Sequence, residues 1–99
     1  MFATVREGTI DPEKRRHGQA QIEELAALLA RQPGYAGVVG VDAGDGRTLT
    51  VTLWESEAHA TAAATAMAPE AQRLLELLGA TRPQIIAQGP VIRSDLVKS

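Results

Sequence analysis

The stretch Arg47-Thr48-Leu49-Thr50-Val51-Thr52-Leu53-Trp54 holds the plainest periodicity in the chain. Successive side chains of a strand point to opposite faces, so Leu49, Val51 and Leu53 share one side and Thr48, Thr50, Thr52 and Trp54 the other. Neither side carries the Lys, Glu or Arg that a water-facing sheet surface shows at alternate positions. Just before it stands Gly44-Asp45-Gly46, a tight-turn signal. The preceding run, Tyr35 to Ala43, has β character from Val38, Val39 and Val41. Two such runs joined by so short a loop predict an antiparallel hairpin.

Working outward, Ser56 caps a helix with Glu57 in its first turn. This helix is Ala-rich through Ala68, is expected to be interrupted at Pro69, and restarts with Glu70. It ends at Gly79, with Leu74, Leu75, Leu77 and Leu78 as its buried end. A last strand follows from Arg82 to about Ile92, and Pro90 there removes a ladder donor, which places it at an edge or a bulge. On the other side of the hairpin, Met1 to Ile10 reads as a strand with Phe2, Thr4 and Arg6 on one face and Ala3, Val5 and Glu7 on the other. Asp11-Pro12-Glu13 starts a helix that is expected to run to Gln32 with an apolar stripe of Ile22, Leu25, Ala26, Leu28 and Leu29. Pro33-Gly34 ends it.

The order β-α-β-β-α-β predicts an α+β, ferredoxin-like fold: a four-stranded antiparallel sheet with both helices on one face. With 99 residues, the chain is one domain in size, spanning 1–93 with a short tail over 94–99. A domain this small buries only about 60–65% of its unfolded surface. The sheet's second face is uncharged, so it is expected to be covered by a second copy, giving a dimeric α+β barrel with an isologous interface. The alternative is a monomer with a Thr-rich wet face.

The composition narrows the function classes. A net charge of -2 leaves no basic footprint for nucleic acid. The absence of cysteine removes disulfides, thiolate metal sites and Cys nucleophiles. No apolar run approaches the ~18 residues of a membrane span, and the polar start is not a signal peptide, so the expected location is the cytoplasm. His17 and His59 are the only histidines, no ligand cluster has metal spacing, and no Gly-rich loop opens a helix as a phosphate cradle would, so neither metal nor cofactor is expected.

Three short motifs carry a family resemblance. Leu53-Trp54-Glu55-Ser56-Glu57-Ala58, the turn Gln32-Pro33-Gly34-Tyr35-Ala36-Gly37, and the closing Gly89-Pro90-Val91 together resemble the antibiotic biosynthesis monooxygenase (ABM) domains of the dimeric α+β barrel superfamily. The resemblance implies cofactor-independent oxidation of polyphenolic aromatic substrates by dioxygen, with Asn, Trp, Tyr and Arg side chains in a pocket between sheet and helices. Haem-degrading relatives use an Asn–Trp–His set. Trp54 matches the Trp of both sets, but the chain contains no asparagine. Only Ala and Thr stand where the haem-ligating His is expected, a helix turn or two beyond His59.

The candidate catalytic residues are Trp54, His59 and Arg6, and the candidate pocket residues are Tyr35, Thr52 and Met67. Trp54 offers a flat wall and one N–H donor, or is a core residue anchoring the following helix. His59 is a general base near neutral pH, or a histidine without a task. Arg6 serves a developing oxyanion, or sits in an ion pair with a carboxylate such as Glu7 or Glu55. The two function classes expected are a dimeric oxygenase of an aromatic or quinone-like small molecule and a non-catalytic ligand-binding or structural dimer. A polyketide cyclase or isomerase would use the same pocket without oxygen.

Overall fold

The computed structural model describes residues 1–95. From residue 96 onward the expected tail lies outside the described residues. Among the described residues seven elements follow one another: β1 (Phe2–Thr9), α1 (Pro12–His17), α2 (Gln19–Ala30), β2 (Tyr35–Gly44), β3 (Arg47–Trp54), α3 (Glu57–Leu77) and β4 (Gln84–Pro90). The strands form one antiparallel sheet in the order β2-β3-β1-β4. This is the ferredoxin-like arrangement that the element order predicts.

The β2–β3 hairpin closes on Asp45 and Gly46, both with positive φ (55° and 78°), the two-residue turn whose twist matches paired strands. β4 lies at the edge, where Pro90 leaves no central ladder bond unmade; the bulge sits further back, opposite Val5 and Arg6.

The first helical stretch is two helices, where the sequence predicts one. Asp11 caps α1 by accepting from Glu13 N and Lys14 N, as its type and place predict. The break falls at Gly18, which is buried. A Cβ there would overlap the Leu78 side chain and lie 2.7 Å from the Lys14 carbonyl oxygen. Gly18 is therefore the point where the chain passes against the end of α3, and no larger residue fits the passage. Gly18→Ala should lower the unfolding free energy by about 1–3 kcal/mol, the usual penalty of overpacking. Denaturant midpoints at unchanged m-value would measure it, and an unshifted midpoint would refute the contact.

α3 corrects the expectation at Pro69 in the opposite sense. The helix is continuous from Glu57 to Leu77 with Pro69 inside it. Proline withdraws one N–H from the ladder, a local loss. The turns beyond it are held by Leu74 and Leu78, both buried, with Leu74 fully so. Leu77 departs from the expected buried set: it points outward, 53% exposed. Arg73 of α3 reaches across to Glu24 of α2 and back to Glu70 of its own helix, each at 3.0 Å, and both partners raise its proton affinity, Glu70 most.

The register settles which face of β3 meets the helices. Phe2 pairs with Trp54 and Thr4 with Thr52, and these four are buried. Phe2 and Trp54 form a core cluster with Ala63 of α3, so this inner face is the helix-covered one. Ala3, Val5, Val39, Val41, Leu49, Val51, Leu53 and Ala87 occupy the outer face, which no helix of the described residues covers. Val39 and Val41 are 52% and 45% exposed there.

Candidate functional site

Three rows of residues cross the inner face. At one end stand Tyr35, Trp54 and Phe2; in the middle Val38, Thr52 and Thr4; beyond them Gly40, Thr50 and Arg6. The alternation of each strand places them there, and the pairing of β1, β2 and β3 brings them into line.

The first row is aromatic and packed. Trp54 is 3% exposed, and Tyr35 meets it edge to face, with centroids 6.1 Å apart and planes at 79°. Leu29, Ala60 and Met67 pack against the same cluster. The candidates Trp54, Tyr35 and Met67 therefore lie together, between the strand ends and the first half of α3.

His59 lies at that same end. Ser56, the N-cap of α3, accepts the His59 backbone N–H at 3.2 Å, and its Oγ lies 2.7 Å from the His59 Nδ1. One serine thus caps the helix and pins the imidazole. The ring also packs over Gly34, whose φ of 80° and whose distance to His59 require glycine: a Cβ there would sit 2.6 Å from the His59 Cβ. The Pro33-Gly34 turn was legible as a helix stop; its role as the floor beneath His59 was not.

The middle row carries two buried hydroxyl-bearing residues, Thr4 and Thr52, at 2% and 3% exposure. No buried side-chain polar atom among the described residues lacks a partner.

Arg6 stands apart from Trp54, four residues along β1 from Phe2, about 13 Å at the usual strand rise. It is half-buried, and desolvation lowers its guanidinium's proton affinity. The expected carboxylate partners are elsewhere. Glu7 points to the outer face and binds Arg47 at 2.6 Å, and Glu55 is exposed. Among the described residues Arg6 makes no ion pair and no side-chain hydrogen bond.

Two open grooves lie at the far end of the sheet. One of about 710 Å³ runs between the hairpin and the first two helices, past Ile10, Arg15, Gln19, Ile22 and Asp42. In it Arg15 pairs with Asp42 at 3.1 Å, and the Gly44 N–H, with Arg15 second, holds the Asp42 carboxyl below its ordinary range. The other, about 550 Å³, runs past Glu7, Arg47, Thr81 and Arg82. Neither is lined by Trp54, His59, Arg6, Tyr35, Thr52 or Met67. No helix of the described residues is long and apolar enough to cross a membrane.

No family model and no curated protein matches the chain. Solved structures do. A cofactor-independent oxygenase from Streptomyces nogalater, SnoaB, is 20% identical with a TM-score of 0.68, covering 98% of this chain and 97% of its own. A protein of Deinococcus radiodurans, provisionally described as an antibiotic biosynthesis monooxygenase, is 14% identical with a TM-score of 0.69, covering 100% of both chains. A protein of Shewanella loihica PV-4, provisionally described as a monooxygenase, is 23% identical with a TM-score of 0.64 over 94% of this chain and 95% of its own. At these identities the likeness is one of fold. The chain has the ABM-type ferredoxin-like fold over essentially its whole length, as the three short motifs imply.

Proposed function

We propose that this protein is a homodimeric, cofactor-independent oxygenase acting on a flat aromatic or quinone-like small molecule, with one site per subunit between the inner face and the helices. The observation that carries the reading is the meeting of Trp54, Tyr35 and a serine-anchored His59 at one end of that face, in a fold shared with a cofactor-independent oxygenase. The aromatic pair orients a ring, with Tyr35 and Met67 half-buried at its edge, and His59 takes the phenolic proton. The resulting phenolate is electron-rich enough to reduce dioxygen by one electron. Recombination of the aryloxyl radical with superoxide forms a C–O bond, and loss of water from the hydroperoxide leaves the quinone. One phenol and one dioxygen thus give one quinone and one water, with no external reductant.

Oxygen uptake with a panel of phenols and hydroquinones, including 1-naphthol, tests the reading. The expected result is one dioxygen consumed per quinone formed, with a rate at least about a hundredfold lower in His59→Ala, the typical share of a general base. A second reading, a non-catalytic ligand-binding or structural dimer, is favoured by the close packing of Trp54 against Phe2 and Ala63. It is the outcome if no phenol stimulates uptake.

A further inference from the structure

The third row of the inner face, Gly40–Thr50–Arg6, is the least explained part of the molecule. Its arginine is half-buried and pairs with no carboxylate among the described residues. A cation that has lost part of its hydration without gaining a counterion is a cost to the fold, and such groups are ordinarily paired. The neighbouring position is equally unusual. A Cβ built on Gly40 meets nothing within 4 Å, and Val38, two residues before it on β2, is 40% exposed although it faces inward. The inner face is therefore open at the β2 edge, and the opening leads across Thr50 to Arg6.

We infer that this row seats the acidic group of a carboxylated aromatic ligand, with Arg6 as its ion partner and the aromatic body lying over Thr50 toward the open edge at Gly40 and Val38. The inference rests on the small-molecule reading above and adds the substrate class. The guanidinium has donors only, in a planar fork that matches a carboxylate's two oxygens, and the hydroxyl of Thr50 is its neighbour in the row. Half-burial strengthens the attraction, because the charge is less screened than at the surface. An anion entering from the β2 edge supplies what the fold itself withholds.

Calorimetric titration with 2-naphthoate and the neutral, similarly shaped 2-naphthamide is the test. Wild-type protein should bind the acid at least about tenfold more tightly, as a hydrogen bond to a charged group requires. Arg6→Gln should abolish that preference, Arg6→Lys should keep part of it, and Gly40→Phe, which fills the entry, should weaken both ligands. Arg6→Gln should also melt no lower than wild type, whereas an arginine that held the fold together would lower the melting temperature when replaced. Equal binding of acid and amide, a preference that survives Arg6→Gln, or no binding of the acid at millimolar concentration overturns the inference. Oxygen uptake on 1-naphthol against 1-hydroxy-2-naphthoate separates its failure from that of the oxygenase reading. Uptake without preference for the acid sinks only the anion seat; Arg6-dependent binding of the acid without uptake on either sinks only the oxygenase.

Discussion

Val51→Lys is expected to convert the protein in solution from a dimer to a folded single subunit. Val51 sits at the centre of the outer face, flanked by Val5 on β1 and Val39 on β2. Around it lie Leu49, Leu53, Ala3 and Val41, and no described helix covers them. Monomeric proteins seldom leave so continuous an apolar sheet face to water. A second copy related by a twofold axis would bury the same residues of both subunits, so one substitution enters the interface twice. Burying an unpaired ammonium costs several kcal/mol per ion. Two of them should weaken association by at least about a thousandfold, since each 1.4 kcal/mol is a factor of ten. In the separated subunit the lysine is simply solvated, so circular dichroism should keep its shape. Sedimentation at micromolar concentration reads both states. A wild type that sediments as one subunit would remove the dimer, and a Val51→Lys variant that still sediments as two would place the interface on another surface.

How much of this was legible beforehand depends on whether the deciding contact is local. The alternation in Arg47–Trp54 and the Gly44-Asp45-Gly46 turn are local, and the strand bounds and hairpin follow from them. The alternation also shows that β3 has two water-averse faces. It does not show that the Thr/Trp face, rather than the Leu/Val face, meets the helices. On the face that does meet them, Ala63 and Met67 are small or pliable enough to accept the indole, a contact between distant parts of the chain. The break at Gly18 was invisible for the same reason. In sequence it is one glycine after a run of charged residues, and its cause, the Leu78 side chain, lies sixty residues away. Pro69 misled in the other direction, because a local rule predicts a stop that the buried Leu74 and Leu78 override.

The site was legible by residue type and less so by arrangement. Trp54, Tyr35 and His59 sit near one another because a strand end, a turn and a helix start converge there, and each of those ends carried its own punctuation. Arg6 shares their face but not their end. Its isolation could have been read from alternation: Glu7, as the next residue on the strand, points to the opposite side, so it was never available as a partner on the inner face.

Trp54→Ala carries the largest stability effect expected from a single inner-face substitution. The indole is nearly fully buried and touches Phe2, Ala63 and Tyr35, so its removal loses transfer free energy and leaves a cavity between sheet and α3. Truncations of this kind cost about 3–5 kcal/mol. Small domains have only about 5–15 kcal/mol in total, so the variant should be close to unfolding at physiological temperature. Trp54→Phe retains most of the ring area and should cost about half as much, leaving a folded protein in which function can be read. Urea titrations followed by circular dichroism, rather than by the fluorescence of the chain's one tryptophan, give the stabilities. Oxygen uptake by Trp54→Phe then divides the two roles of the residue. Lost uptake in a folded variant makes the indole part of the chemistry, and unchanged uptake confines it to packing. A Trp54→Ala variant whose midpoint moves by less than that of Gly18→Ala would show that the core is not centred on this residue.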